Sequence, residues 1–170
     1  MQATDLIADA LDRVKDTVHT VLDGLDEDHL TVRIDPDANT IAWLIWHLTR
    51  VQDDHLADVA GSAQVWTTDG WSERFGLPLD DSTIGYGHRS DEVAAVEASA
   101  ALLGAYHDAV NARSHTWLQT LGAQDLGRIV DDRWDPPVTL AVRMVSVVED
   151  TLQHVGQAAY VCGVLERSAG

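Results

Sequence analysis

Apolar residues recur at alternating steps of four and three along the first part of the chain. They are Ile7, Leu11, Val14, Val18, Val21 and Leu25. A spacing near 3.6 residues is the period of an amphipathic α-helix, and aspartates occupy its other faces. Thr4 is a suitable N-cap and Gly24 a suitable stop. The pattern predicts a first helix between these two residues.

Two further segments carry the same helical period. The second helix is expected to begin near Asn39 or Thr40 and to run to about Val59, just before a glycine. The third is expected to begin at Ser90, which is a good N-cap residue, and to run towards Leu121. Both segments are long enough to cross a small domain from end to end.

A fourth helix is predicted after the pair Pro136–Pro137, with Thr139 near its cap, and it reaches about Arg167. Alternation with a period of two is confined to short pieces such as Ile129–Asp131. Four long amphipathic helices without a convincing strand predict an all-α protein, an up-down-type four-helix bundle. No repeat or linker divides the chain, so residues 1–170 are expected to form one domain.

Residues 61–90, between the second and third helices, depart from the helical pattern. This segment holds five glycines, one proline and the aromatic residues Trp66, Trp71, Phe75 and Tyr86. A connection of about 30 residues is unusually long, and its aromatic content argues against disorder. It is either a crossover loop that joins two parallel helices across the bundle or a partial lid over a pocket.

The chain is strongly acidic, with 28 Asp and Glu residues against 11 Lys and Arg residues and a formal charge of −17. Such a surface repels phosphate backbones and anionic lipids, which disfavours nucleic acid and membranes as partners. Cys162 is the only cysteine, so an internal disulfide and a thiolate zinc cage are excluded. No signal-peptide pattern or membrane-spanning apolar stretch is present, and we expect a cytoplasmic protein.

Asp150 and His154 are four residues apart on the fourth helix, about 40° apart on one face. That face should point into the bundle, where an unpaired charge is costly. A shared divalent metal ion or a simple Asp–His hydrogen bond would compensate, and spacing alone leaves both open. His47 on the second helix could supply a third ligand, because bundles build metal sites from facing helices. Asp54 and His55, two turns further on, are reserve candidates or part of a solvated face.

Two blocks of the chain resemble a known family. They are IAWLIWHL continuing as TRVQDDH around His47, and EDTLQHVGQAAY around Asp150 and His154. Both are similar to blocks in the DinB/YfiT-like four-helix metalloenzymes, especially the actinobacterial branch of mycothiol-dependent S-transferases, and the resemblance spans nearly the whole chain. It implies that His47, Asp150 and His154 hold a divalent metal ion, zinc most often and nickel as the alternative. Many members carry His or Glu where this chain has the shorter Asp150.

The resemblance also implies an activity: conjugation of a low-molecular-weight thiol, mycothiol, to an electrophile, as in detoxification. Three protein ligands leave an open coordination position, which is typical of catalytic zinc, and a thiol bound there is deprotonated. A metal-dependent hydrolase could use the same ligands. A third alternative is a non-enzymatic bundle that binds a small molecule or a partner, with Asp150 and His154 as a buried pair only.

Other side chains are candidates for the surroundings of this site. The expected lining of the cofactor pocket comprises Trp43, Trp46, Tyr86 and His88. Glu149 and Gln157 are expected to orient the ligands. The histidines at positions 19, 29, 107 and 115 show no converging partners and are expected at the surface or its boundary. Apolar stripes on the first and second helices would support a homodimer.

Overall fold

The computed structural model describes residues 2–168, which form four long helices, four short helices and one two-stranded ribbon. In chain order the elements are α1 (Ala3–Leu22), α2 (Glu27–Thr31), α3 (Ile41–Ala60), α4 (Val65–Thr68), α5 (Trp71–Phe75), α6 (Ser90–Ala94), α7 (Ala100–Leu118), β1 (Ile129–Asp131), β2 (Val138–Thr139) and α8 (Leu140–Ser168). The predicted all-α bundle is confirmed. None of the helices in residues 2–168 is long and apolar enough to cross a membrane.

The long helices surround the core in the cyclic order α1, α7, α3, α8. Two contacts show that α3 and α7 run parallel. Thr49 Oγ1 lies 3.0 Å from His107 Nδ1, and Gln52 Nε2 donates to Ser114 Oγ at 2.9 Å, so the residue numbers rise together on both helices. Residues 61–99 therefore carry the chain back across the bundle, as the crossover interpretation requires.

Helix α3 lies at the centre of the fold, and every residue from 41 to 53 is buried. Its charged residues are compensated by the crossover. The Asp53 carboxylate accepts hydrogen bonds from the backbone of Val65 at 2.9 Å and of Trp66 at 2.7 Å. The Arg50 guanidinium lies over the Trp66 ring, 4.8 Å from its centroid. These contacts tie the crossover to the helix that carries His47.

The third predicted helix is interrupted, which corrects the prediction of one helix from Ser90 to Leu121. Helix α6 spans only five residues, and α7 begins at Ala100. The Ser99 hydroxyl accepts a hydrogen bond from the Leu102 backbone at 3.2 Å, and this N-cap starts a new helix. The apolar period continues through the break, so periodicity alone does not reveal it.

The apolar stripe expected on the second helix for a homodimer is not exposed, because α3 is enclosed by its neighbours. Among residues 2–168, exposed large apolar side chains include Leu6 on α1 and Val142, Val145, Leu152 and Tyr160 on α8, and the homodimer stays a prediction.

Candidate metal centre

Three side chains from α3 and α8 converge in the bundle: His47, Asp150 and His154. Each offers one ligand atom, and these atoms all lie within 4.8 Å of one another. The two imidazole rings are 4.6 Å apart between centroids and nearly perpendicular, at 76°. His47 is 1 % exposed, and the other two side chains are partly buried. The bundle thus brings together the three residues expected to bind a metal.

A backbone carbonyl from the crossover orients the His47 ring. His47 Nδ1 donates a hydrogen bond to the carbonyl of Ile84, which leaves Nε2 as a bare lone pair. The next residue, Gly85, has a φ of +103°, and a Cβ there would lie 2.5 Å from His47 Nδ1. Only glycine therefore allows the crossover to approach this closely. On another side, the Trp43 ring stacks on His47 with 4.5 Å between centroids.

A backbone carbonyl orients the His154 ring as well, and Tyr86 holds Asp150. His154 Nδ1 lies 2.8 Å from the carbonyl of Asp150, so this nitrogen donates and Nε2 is again a free lone pair. Asp150 Oδ1 accepts a hydrogen bond from Tyr86 at 3.2 Å. Asp150 Oδ2 is buried, 3.3 Å from His154 Nδ1, and makes no hydrogen bond within residues 2–168. An orphaned carboxylate oxygen beside two bare imidazole nitrogens fits a bound cation.

The electrostatics of the three groups suit the same purpose. Burial lowers the pKa of His47 to about 4, so its ring is neutral at pH 7, as a ligand must be. Burial alone would raise the pKa of Asp150, but the proximity of the His154 ring, with Nδ1 3.3 Å from Oδ2, holds it below its usual value. Asp150 in turn raises the pKa of His154, although burial opposes this. Because Nδ1 already carries a hydrogen, the proton favoured by this raised pKa is on Nε2, and a bound cation would take its place.

Tyr86 covers one side of the centre from the crossover. Its ring lies 5.2 Å from His47, while the residue as a whole is 59 % exposed. Burial of the hydroxyl, together with the charge of Asp150, raises the pKa of Tyr86 to about 12. The phenol therefore stays protonated and serves as a hydrogen-bond donor to Asp150.

Comparison with known proteins decides the family. A family model described as mycothiol-S-transferase matches residues 6–166. The chain belongs to this family. Its fold is also that of a solved structure, described as the conserved protein of locus from Enterococcus faecalis, with 31 % identity, a TM-score of 0.90, and coverage of 95 % of this chain and 96 % of that one. No curated protein sequence matches the chain at a significant level.

In this member of the mycothiol-S-transferase family, the four residues expected to line the pocket fall into two groups, one in contact with the His47 ring and one packed behind it. Trp43 and Tyr86 lie against the His47 ring. Trp46 is buried, and its ring stacks on His88 with 5.8 Å between centroids. His88 Nδ1 accepts a hydrogen bond from Trp43 Nε1 at 3.1 Å. His88 therefore positions the Trp43 ring, and Trp46 packs against His88.

Within residues 2–168, neither Glu149 nor Gln157 makes a hydrogen bond to His47, Asp150 or His154. Glu149 accepts a hydrogen bond from Gln153 on the surface of α8. Gln157 is exposed. The orienting groups are instead the carbonyls of Ile84 and of Asp150, and sequence reasoning missed them because every residue has a carbonyl. The available signal for a close approach was the pair of glycines in the sequence GYGH, residues 85–88.

The reserve candidates Asp54 and His55 lie outside the triad. Asp54 Oδ1 accepts a hydrogen bond from Gln64 at 2.7 Å, and His55 Nδ1 lies 3.0 Å from Arg143 Nη1. The expectation that His107 lies at the surface or boundary is wrong. His107 is fully buried because α7 packs parallel to α3.

Proposed function

We propose that the protein is a divalent-metal-dependent transferase that joins the thiol sulfur of mycothiol to an electrophilic carbon. The observation that carries this proposal is the convergence of His47, Asp150 and His154 within 4.8 Å, in a chain of the mycothiol-S-transferase family. Two nitrogen ligands and one carboxylate oxygen, with a further position open, are typical of catalytic zinc. We therefore propose zinc as the ion.

The charges of the ligand set explain why it suits a thiol. Asp150 brings one negative charge, and His47 and His154 coordinate as neutral rings. A divalent ion held there keeps one uncompensated positive charge, which favours the deprotonated, nucleophilic form of a thiol at neutral pH. The thiol proton would leave to solvent when the thiolate forms. The thiolate sulfur would then bond to the electrophilic carbon as that carbon's bond to its leaving group breaks, and the leaving group would depart with the electron pair.

The surrounding residues position the ligands and exclude water. Ile84 holds the His47 ring through its carbonyl, and Tyr86 holds Asp150 through its hydroxyl. Trp43 packs against His47 and makes that side of the centre apolar. Rigid ligands and partial exclusion of water are the conditions under which a metal site orients two reactants effectively.

Elemental analysis of untagged protein is the first test. We expect about one zinc ion per chain in wild-type protein and in His29→Ala, which removes an exposed histidine on α2, and none in His154→Ala. Absence of metal from wild-type protein, even after incubation with zinc, would contradict the proposal.

A conjugation assay then separates the alternative functions. Zinc-loaded protein is incubated with an electrophile such as monochlorobimane, with and without mycothiol. We expect S-conjugate to form above the uncatalysed rate only when thiol and zinc are both present. A hydrolase would consume its substrate without thiol, and a non-enzymatic bundle would give no product above the uncatalysed rate.

A further inference from the structure

A second polar cluster lies between α3 and α8, beyond the metal centre. His55 is eight residues after His47 on α3, and it contacts Arg143, which is seven residues before Asp150 on α8. The helices are therefore antiparallel, and the cluster lies roughly 12 Å along their groove from the centre. The Tyr86 ring lies between the two sites, 5.2 Å from His47 and 6.4 Å from His55.

Arg143 determines which nitrogen of His55 carries the hydrogen. Arg143 Nη1 lies 3.0 Å from His55 Nδ1, and a guanidinium can only donate. Nδ1 must accept, so the ring hydrogen is on Nε2. Asp54 Oδ2, at 3.6 Å from Nδ1, is too distant to compete. Arg143 Nη2 donates a hydrogen bond to Asp131 Oδ2 at 3.4 Å, so Arg143 and the His55 ring are held in place without a ligand.

This arrangement leaves one donor and one acceptor side by side. The His55 side chain is 23 % exposed, and its Nε2–H makes no hydrogen bond within residues 2–168. Asp54 Oδ1 is occupied by Gln64, whereas Oδ2 accepts no hydrogen bond from the described residues. A hydroxyl group both donates and accepts, so neighbouring hydroxyls of one ligand can satisfy both atoms.

The charges around the cluster disfavour an anionic ligand. The cation of Arg143 is already opposed by Asp131 at 3.4 Å. The carboxylates of Asp54 and, further along the groove, of Asp150 would repel a carboxylate or phosphate. A polyol has the required hydroxyls without a charge.

We propose that Asp54 and His55 bind hydroxyl groups of a sugar or polyol portion of the thiol co-substrate, while Arg143 positions His55. The inference rests on the proposed function and extends it, because mycothiol is a sugar conjugate. The separation of roughly 12 Å from the metal centre suits contact with the remote end of such a thiol and not with its sulfur. Binding at a remote group raises selectivity between thiols that share the same reactive atom.

The test compares two thiols on zinc-loaded protein by calorimetric titration. Mycothiol carries the sugar, and N-acetylcysteine lacks it. We expect His55→Phe, which keeps a ring but loses the N–H, to weaken mycothiol binding about tenfold, the value of one hydrogen bond, with N-acetylcysteine unchanged. His55→Gln keeps an amide donor and should recover much of the loss. His29→Phe is the control, and zinc content is measured in every variant.

Three outcomes would overturn the inference. His55→Phe could weaken both thiols equally, in which case His55 acts through the metal centre or the fold. It could leave both unchanged, in which case His55 contacts neither. If zinc-loaded wild-type protein bound neither thiol, the proposed function would fail and this inference with it.

Discussion

The buried His107 makes a quantitative prediction about stability and pH. Its side chain lies between α7 and α3, with Nδ1 3.0 Å from Thr49 Oγ1 and Nε2 without a hydrogen-bond partner within residues 2–168. Burial lowers the pKa of His107 to about 4, and the charges of Asp108, His19 and Lys15 only modify this. The folded protein therefore keeps the ring neutral under mildly acidic conditions.

The sign and size follow from proton linkage. Between the unfolded pKa of 6.5 and the folded value of about 4, the unfolded chain binds a proton at His107 that the folded protein does not. Stability is therefore complete above the unfolded pKa and falls as the pH decreases through this window. From about pH 7.5 to about pH 5, the loss from this one group is about 2 kcal/mol.

His107→Leu isolates this contribution, because leucine fills similar space and does not titrate. The Thr49 hydroxyl still donates to the Ile45 carbonyl at 2.8 Å, so no donor is stranded. Urea unfolding is measured with a chelator at about pH 7.5 and about pH 5. Other titrating groups, including His47, are common to both proteins and cancel. We expect the variant to lose about 2 kcal/mol less than wild type between the two pH values; an equal loss would refute the argument.

Three further predictions concern the metal centre and the core. In a chelator competition, Gly85→Ala should weaken zinc binding between about tenfold and a hundredfold, because the new Cβ displaces the His47 ring. Gly87→Ala is the control and should leave zinc binding unchanged, since Gly87 also has a positive φ but has open space around its Cβ. Asp53→Ala should destabilise the fold by about 3–5 kcal/mol. It removes the carboxylate 3.8 Å from the buried Arg50 guanidinium and leaves the backbone donors of Val65 and Trp66 unpaired. Exposed Asp58→Ala should change the unfolding free energy little. EDTA should lower the Tm of zinc-loaded wild type but not of His154→Ala, and equal shifts in the two would contradict the assigned ligands.

The parts of the fold that depend on local pattern could be predicted from the sequence. The period of the apolar residues identified α1, α3 and α8 to within a few residues. The break before α7 was missed because Ser99 interrupts the helix without interrupting the apolar period. A serine inside a periodic segment is compatible with a helix interior, and its role as a cap becomes visible only once the backbone turns there.

The metal centre was predictable only in part, for a related reason. The four-residue spacing of Asp150 and His154 indicated a shared face, the bundle architecture made His47 a possible third ligand, and the resemblance to a family favoured the metal over a simple hydrogen-bonded pair. The carbonyl of Ile84 could not be found, since a backbone group leaves no mark in the sequence. The burial of His107 depends on α7 packing against Thr49 of α3, a contact between residues 58 positions apart that local pattern does not reveal.

The contact between Gly85 and the His47 ring has a consequence for sequence comparison within the family. Three ligand residues on α3 and α8 are a weak signature by themselves, because a bundle of any function can carry two histidines and an aspartate. A glycine aligned with Gly85 is independent evidence that the crossover backbone can approach the histidine aligned with His47. A relative that keeps the three ligands but bears a side chain there should hold its metal more weakly, and this position would identify it as a family member with an impaired centre.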